Sequence, residues 1–566
     1  MFEHLIFTLY ILTFLFSTIG YGFVLSKIVD KNLLRFNLGW QGLLGFFFLS
    51  IISIFTSFFF SHGFYHNSII HLVGLMSFIF FIHKLKKNSE LKYLFLLICI
   101  LWIGVYVYKN HDDFPYYHLT YALNLSENKF IVGTGNFSHG FRTFSSLFYY
   151  HSLLYMPLIK FYLFYIGPFF IMLFFNYIVI SKLIKNFSIK NFNFVYFFLI
   201  ISLVFVNVVF YRLGEHGTDR SAQILLLLIF LLFFEIIYFE KKIKNIILKT
   251  SLLVILVFLA SSMKAIYYLY LILIPIIFFK KNLFLDYIKL KNFFLFFLIF
   301  LSFSLNIITY HLNTGCFLYP AEKTCFIKTE WSIPKKEVKL MSTHYEWWAK
   351  AGGGPGYTHE IEKEEYIKDF VWLENWIDRH FFNKVSDSLL AILLICLIIY
   401  FSFYFFGKKN VRKNLNHNRI GILPYLLISI FLLEWFLNHP SMRYGGYVLF
   451  ALPFIVLTSS LIEKYQLFKN RVYWLTILFI VLTFVIYNVR NITRLEKEIR
   501  VYNYNLLKSP YFFVDQIISK KIISNERLTI YSPGGKMCWA SKTPCSNRES
   551  LKLNKFLWMN MVSRND

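Results

Sequence analysis

The chain has 566 residues, of which 57% are hydrophobic, 21% aromatic and only 16% charged, and its formal net charge is +27. A soluble protein has about a quarter of its residues charged, and disordered chains are poor in aromatic and branched apolar residues. Both classes are therefore excluded. The composition predicts an all-α protein that crosses a lipid bilayer many times.

Fourteen apolar runs approach the roughly 20 residues that a helix needs to cross about 30 Å of hydrocarbon. They lie near residues 4–26, 38–60, 65–83, 93–108, 161–181, 194–212, 221–239, 250–263, 265–279, 293–310, 386–406, 420–438, 443–463 and 472–488. The first run has neither a basic beginning nor a small-residue cleavage site, which favours a retained helix over a signal peptide. Residues 250–279 could form one tilted helix or two short helices that meet near Lys264.

The loop charges favour two helices. Seven Lys/Arg clusters hold 26 of the 58 basic residues, at 27–36, 84–92, 182–190, 241–249, 280–291, 408–419 and 464–471. Basic loops of membrane proteins lie on the cytoplasmic side. With two helices in 250–279 all seven clusters share that side, whereas one helix would move the last three outside. We therefore predict that both termini are outside. Most of the positive charge then reflects which loops lie on the cytoplasmic side, and it does not indicate nucleic-acid binding.

This topology divides the chain into five regions. They are N-terminal accessory helices (1–92), a seven-helix core (93–310) with a first outer loop (109–160), a second outer loop (311–385), C-terminal helices (386–488) and an extracytoplasmic tail (489–566). The cytoplasmic loops are short and basic and contain no nucleotide-binding motif. Chemistry is therefore expected at the outer face.

Four cysteines lie in the predicted outer segments as two close pairs. In an oxidising compartment this spacing predicts the disulfides Cys316–Cys325 and Cys538–Cys545. A four-cysteine zinc site is the alternative, but it lacks the CxxC spacing typical of such sites.

Two adjacent carboxylates, Asp112 and Asp113, begin the first outer loop. At a membrane surface they repel each other and lose hydration, which raises the pKa of one unless a cation or metal lies nearby. Such a group suits a general base that takes a proton from a hydroxyl. The alternative is that Asp-Asp-Phe-Pro only caps the following helix.

Further ionisable groups lie in the outer segments. The candidate phosphate ligands, in falling order, are Arg443, Arg142, Lys264 and Arg220, and the other candidate site residues are His111, His118, Glu215, His216, Asp219, His439 and Tyr444. Guanidinium and ammonium groups bind phosphate well, although each cation could instead be an interfacial anchor. Together they predict a polar cavity at the outer face.

This arrangement resembles the GT-C class of integral membrane glycosyltransferases. Residues 93–310 give the order of that class, a seven-helix core with a long acidic first outer loop, and 311–385 follow as the second outer loop. The segment His439-Pro440-Ser441-Met442-Arg443-Tyr444, with Leu452-Pro453 after it, looks like the late-helix Arg-Tyr…Pro pattern of these enzymes. Residues 315–320 and 538–545 also look like segments of bacterial members encoded with surface-polysaccharide genes. The three helices before residue 93 depart from the simplest core.

The resemblance implies transfer of a sugar, with inversion, from a polyprenyl-phosphate carrier. Asp112 or Asp113 would deprotonate or orient the acceptor, which could be a glycan, a lipid or a protein, and a cation would stabilise the leaving phosphate. The active face would be the periplasmic face of a bacterial inner membrane. Some members use a divalent metal such as Mg or Mn, for which Asp113, Glu215 and Asp219 could supply oxygens. Hydrogen-bonded structural acids are the alternative role for these three residues.

The second outer loop contains five of the eleven tryptophans, Trp331, Trp347, Trp348, Trp372 and Trp376. They could stack on sugar rings or anchor the loop at the membrane interface. Two rival functions remain open. An O-antigen-type polymerase or ligase would depend on outer-face arginines, whereas a glycolipid transporter or flippase would line a path with charged groups. Apart from the first and last two residues of each predicted span, only Glu235 and Glu434 are charged within the spans.

Overall fold

The computed structural model describes residues 2–188, 192–283, 293–326, 328–351, 361–405, 407–408, 420–464, 466–467, 469–525 and 528–565. The side chains of Glu215 and His216 lie outside the described residues. The protein is a predominantly helical, multi-pass membrane protein. Among the described residues, eleven helices are long and apolar enough to cross a membrane.

The helices follow the predicted apolar runs closely. They are α1 (Phe2–Val29), α2 (Leu38–Ser57), α3 (Phe64–Lys84), α4 (Asn88–Leu101), α5 (Leu119–Glu127), α6 (Ser146–Ser152), α7 (Ile166–Ser188), α8 (Phe194–Val209), α9 (Leu213–Phe234), α10 (Ile243–Met263), α11 (Leu273–Lys281), α12 (Phe293–Thr314), α13 (Lys335–Lys350), α14 (Lys363–Tyr366), α15 (Leu373–Trp376), α16 (Ser386–Phe405), α17 (Leu423–Asn438), α18 (Gly446–Glu463) and α19 (Lys469–Tyr502). All fourteen predicted runs contain one of these helices. Among the helices in these runs, α8 and α17 have 16 residues each and α11 has nine, whereas α4 reaches 18 residues with the 3₁₀ turn that follows it.

The chain reverses direction at Lys264. Helix α10 ends at Met263, Lys264 is extended, and a 3₁₀ helix (Ala265–Ile272) leads into α11. The Phe258 ring packs edge-on against Tyr268, with their centroids 6.4 Å apart. At the far end, Lys281 Nζ donates to the carbonyl of Glu240 at 3.2 Å. Residues 250–279 therefore form two antiparallel segments, as the loop charges predict.

Small residues let the first three helices pack closely. A Cβ on Gly45 of α2 would lie 1.7 Å from the carbonyl oxygen of Thr18 in α1, and a Cβ on Gly20 would lie 1.9 Å from that of Gly74 in α3. Backbone-to-backbone approach of this kind is typical of helix packing in membranes. The N-terminal helices therefore form a tightly packed unit.

The last helix extends well beyond its predicted end at residue 488. Helix α19 continues to Tyr502, so the tail that the sequence places at 489–566 is helical in its first part. Two antiparallel hairpins follow, β3 (Lys520–Ser524) with β4 (Thr529–Ser532) and β5 (Leu551–Phe556) with β6 (Met559–Arg564). A shorter pair, β1 (Gly407–Lys408) with β2 (Gln466–Leu467), joins two helix ends elsewhere.

The tail packs on the first outer loop. The backbone N–H of Val562 donates to the carbonyl of Val132 at 2.8 Å, and Val132 donates to Asn560 at 2.9 Å. The disulfides Cys316–Cys325 and Cys538–Cys545 are both formed, at the pairs that the sequence predicts. The tail and the loops therefore make one end of the molecule. We call this end the loop face, and it comprises the described parts of 106–165, 211–220, 264, 311–385, 439–445 and 490–565.

A candidate ion-paired site on the loop face

Two carboxylates and two cations meet on the loop face. Arg443 donates through Nη2 to Asp113 Oδ2 at 2.8 Å and through Nε to Asp219 Oδ2 at 2.7 Å. The ammonium group of Lys264 pairs with the other oxygen of Asp219. We call these four residues the ion cluster. They come from four separate segments of the chain, and all four are residues that the sequence singles out.

Local backbone features place the two acids. Asp113 directly precedes a π-helical turn, Phe114–His118. Asp219 follows a kink in α9 at Gly217, which has φ 51° and ψ −126°. Side chains other than glycine are strained at a positive φ of this kind. The kink therefore depends on glycine, and it turns Asp219 toward Arg443.

The Arg443 segment is held by hydrogen bonds to its backbone. Gln223 of α9 donates to the carbonyls of Met442 and Arg443 at 3.3 Å each. The indole of Trp435 donates to Ser441 O at 3.0 Å, and that of Trp376 donates to Pro440 O at 2.7 Å. These buried partners fix the direction in which the Arg443 side chain leaves the backbone.

Aromatic rings cover both cations. The Arg443 guanidinium lies 5.2 Å from the ring centroid of Trp348, and the Lys264 ammonium lies 4.1 Å from that of Tyr444. Cation–π contacts of this kind stabilise cations that have lost hydration. The other four tryptophans of the second outer loop, Trp331, Trp347, Trp372 and Trp376, are buried. Of the five, Trp348 alone stacks on a cation of the ion cluster.

The surroundings set the protonation of the ion cluster. Burial opposes ionisation of Asp113, but Arg443, His118 and His111 together hold the pKa of its carboxyl below the ordinary value. Arg443 is thus the nearby cation that counteracts the rise in carboxyl pKa expected for two adjacent acids. Burial lowers the pKa of Lys264 to about 8, even though the Asp219 carboxylate favours the charged form. Asp113 is therefore a weak base, and Lys264 titrates just above neutral pH.

Three of the predicted histidines surround the ion cluster. His111 Nδ1 lies 3.4 Å from Asp113 Oδ2, and the ring of His118 packs on Phe148 at 4.8 Å. His439 Nε2 lies 3.7 Å from Glu434 Oε1. Burial lowers the pKa of both His118 and His439 to about 4, so both rings are neutral at pH 7.

The two remaining predicted cations lie elsewhere. The Arg220 guanidinium lies over the rings of Phe210 and Tyr447, 5.9 and 5.7 Å from their centroids. Arg142 donates to Glu337 Oε1 at 2.5 Å, to Gly135 O at 3.0 Å and to the Tyr319 hydroxyl at 3.4 Å. All three nitrogens of Arg142 are thus in use, and they bind the protein itself.

Glu337 is the centre of a second charged group, which we call the Glu337 cluster. Its Oε1 pairs with Arg142, and its Oε2 pairs with Arg564 of β6 at 2.5 Å. Burial opposes ionisation, but the two guanidinium groups lower the pKa of Glu337 to about 2. The Glu337 cluster ties the tail to both outer loops. Sequence reasoning missed Glu337 and Arg564, because no motif marks either residue.

Asp112 lines a cavity in which no residue of the ion cluster takes part. It is exposed and lines this cavity, of about 650 Å³, together with Lys109, Arg212, Arg490 and Lys497. The two adjacent acids therefore lie in different environments: Asp113 is in the ion cluster, and Asp112 is in a basic cavity. The two cations from α19 were missed because the sequence places the end of that helix at residue 488.

Two of the three acids considered as ligands of a divalent metal are occupied by cations. No group of three or more His, Cys, Asp or Glu in the described part of the chain could hold a metal ion. Asp113 and Asp219 are both bound by Arg443, and Lys264 adds a second positive charge beside them. The third acid considered, Glu215, has its side chain outside the described residues.

Comparison with known proteins gives a family and no named relative. No curated protein and no solved structure matches the chain. A family model described as a domain of unknown function, DUF8201, matches residues 4–450. This match covers more than half of the chain and includes the whole ion cluster. The chain therefore belongs to the DUF8201 family.

Proposed function

We propose that this protein is a GT-C-type membrane glycosyltransferase. It moves a sugar from a polyprenyl-phosphate donor to an acceptor at the periplasmic face of a bacterial inner membrane, in cell-surface glycan or lipid modification. In this proposal the fourteen helical runs all cross the membrane, both termini are outside, and the loop face is periplasmic. The observation that carries the proposal is the ion cluster, in which four distant segments bring two cations and two acids together.

The chemistry of the reaction explains such an arrangement. When a lipid phosphate leaves the sugar, negative charge develops on it, and a fixed cation stabilises that charge. The ion pairs of Arg443 use Nε and Nη2, which leaves Nη1 for a phosphate oxygen. Lys264 supplies a second positive charge beside it. Because the two acids already hold the cations in place, little reorganisation is needed during the reaction.

The two carboxylates then have separate roles. The low pKa of Asp113 and its contact with Arg443 suit a residue that positions the guanidinium. Asp112 is exposed, so it is accessible to an acceptor hydroxyl and is our candidate for the general base.

The rival functions make different use of charge. A polymerase or ligase of the O-antigen type would need Arg443 but not Asp112. A transporter would need charged groups along its path. Glu235, directly after α9, is instead paired with Lys182 of α7 and Lys249 of α10, so its charge is neutralised within the protein. Substituting Arg443 and Asp112 separately therefore distinguishes the enzyme from the first rival.

The test is transfer of a labelled sugar from a polyprenyl-phosphate donor in membranes that contain the variant chains. We expect Asp112→Asn to reduce transfer about a hundredfold, in the range that general bases contribute. Asp113→Asn should reduce transfer less. The exposed tail residue Asp515 provides the matched control, Asp515→Asn, which should leave transfer unchanged. If transfer survives the double change at Asp112 and Asp113, the assignment of the base is wrong.

A further inference from the structure

A basic cavity lies beside Asp112, and none of the four residues of the ion cluster lines it. It is enclosed by the start of the first outer loop, the segment after α8 and the part of α19 beyond the predicted membrane span, with a volume of about 650 Å³. Its cations are Lys109, Arg212, Arg490, Arg494 and Lys497. Among the described side chains that line the cavity, the carboxylates are those of Asp112 and Glu498. The lining therefore carries an excess of three positive charges, whereas the ion cluster is balanced.

Part of the lining is a rigid clamp. Arg494 Nη1 lies 3.1 Å from Glu498 Oε1, and Nη2 donates to the carbonyl of Tyr106 at 2.5 Å. Glu498 Oε2 accepts the backbone N–H of Tyr108 at 3.0 Å. This pair neutralises itself and fixes α19 against the start of the loop. Lys109 and Lys497 are the lysines of the lining, and the Arg490 guanidinium lies 4.0 Å from the ring centroid of Tyr211.

A buried amide without a hydrogen-bond partner lies in the wall of this cavity. Asn110 lines the cavity and is only 6% exposed. Neither its Nδ2 nor its Oδ1 has a hydrogen-bond partner among the described residues. Buried polar groups in native proteins nearly always have partners, and both amide atoms are themselves covered, so a group in the cavity reaches them only when the Asn110 side chain turns toward it.

The cavity also has an apolar side. Val489 and Val501 of α19 line it and are 55% and 60% exposed. Positive charge beside exposed apolar residues at the end of a membrane helix matches an anionic lipid, whose headgroup lies with the cations and whose chain lies along the helix.

We infer that this cavity binds the phosphate headgroup of a membrane lipid and is a second anion site beside the ion cluster. Asp112 then lies between two phosphate sites. Under the proposed function the second lipid is the acceptor, which makes the acceptor a phosphate-bearing lipid. That role rests on the proposed function, but the binding itself can be measured without any transfer.

The test is lipid binding to the full-length chain in nanodiscs of zwitterionic phosphatidylcholine. Three probes are titrated, namely polyprenyl phosphate, phosphatidylglycerol and inorganic phosphate. The variants are Lys109→Gln with Lys497→Gln, and separately Asn110→Asp, which adds a negative charge to the cavity. The control is Arg500→Gln, because Arg500 lies on the same helix, outside the cavity, and pairs with Glu496. Thermal melting of every variant verifies that it is folded.

We expect the phosphate lipids to bind the wild type and the control equally. The double variant and Asn110→Asp should each bind at least about tenfold more weakly, as expected when hydrogen bonds to a charged group are lost. A preference for polyprenyl phosphate over phosphatidylglycerol would identify a substrate lipid, and equal binding would identify a bulk phospholipid. Unchanged binding by both folded variants would overturn the site. Inorganic phosphate that binds as tightly as the lipids would overturn its assignment to a lipid.

The two proposals can fail separately. Lipid binding that depends on this cavity, in a chain that transfers no sugar, would retain the lipid site and reject the glycosyltransferase. Sugar transfer by a chain whose cavity variants bind lipid as well as the wild type does would retain the glycosyltransferase and reject the lipid site.

Discussion

The ion cluster and the Glu337 cluster lie on the same face and use the same kinds of charge, yet they differ in access. In the ion cluster the Arg443 side chain is 31% exposed and that of Asp113 is 27% exposed. In the Glu337 cluster the Arg142 side chain is only 4% exposed, and all its nitrogens bind the protein. Residue type alone therefore does not distinguish a ligand site from a structural tie. The exposed fraction of the arginine side chain separates the two clusters, at 31% for Arg443 and 4% for Arg142.

The largest expected effect is that of Arg443→Ala. It removes the cation that we assign to the leaving phosphate, and it leaves Asp113 and Asp219 without their shared partner. We expect sugar transfer to fall by roughly two to three orders of magnitude, as when one donor to a developing oxyanion is removed. Arg443→Lys should restore part of the activity, because it keeps the charge but not the bidentate geometry. Near-normal transfer by folded Arg443→Ala would remove the ion cluster from the mechanism.

Lys264 should give the reaction a pH dependence. Its pKa is lowered to about 8, so the charged form prevails below that pH and is lost above it. Transfer should therefore decline as the pH rises through about 8. In Lys264→Arg the decline should disappear, since a guanidinium stays charged. If transfer by the wild type and by Lys264→Arg declines identically as the pH rises, another titrating group causes the decline.

Glu337→Gln should act on stability. The Glu337 carboxylate has its pKa lowered to about 2 by Arg142 and Arg564, so the stabilisation is present above the ordinary pKa and is lost as the pH falls toward 2. We expect faster proteolysis of the tail in Glu337→Gln at pH 7, and in the wild type only on acidification. Transfer per folded molecule should change little. A tail equally protected in both proteins would contradict this assignment.

Among the residues at the ion cluster, the smallest expected effect on sugar transfer is that of Trp348→Leu. It removes the ring over Arg443 and keeps the ion pairs, so transfer should fall about three- to tenfold, as for loss of one cation–π contact. Trp347→Leu is unsuitable as a control because Trp347 is buried, and Phe370→Leu, at an exposed position of the same loop, is preferable. Equal losses in Trp348→Leu and Phe370→Leu would mean that the Arg443 contact is unimportant.

Much of the fold could be predicted from the sequence. Apolar run lengths locate the helices, loop charges indicate the reversal at Lys264, and cysteine spacing indicates the two disulfides. The end of α19 could not be found in this way. Hydropathy falls at Arg490 and the residues after it, but pairs four residues apart, such as Arg494 with Glu498, continue the helix.

The residues of the ion cluster could be predicted from the sequence, but the contacts between them could not. Asp113, Asp219, Lys264 and Arg443 each stand out as ionisable residues between apolar runs. Which of them meet depends on how the helices pack, and no local pattern encodes a contact between Asp113 and Arg443. The same limit explains Arg142, which has the same charge as Arg443 but lies in the Glu337 cluster.

The most direct test of the central claim compares purified wild-type chain, Arg443→Ala and Glu337→Gln in proteoliposomes with a labelled polyprenyl-phosphate sugar. The account predicts transfer by the wild type, nearly none by Arg443→Ala, and close to normal transfer per folded molecule by Glu337→Gln. Equal loss in the two variants, or no transfer by the wild type with any polyprenyl-phosphate sugar and lipid acceptor, would contradict it.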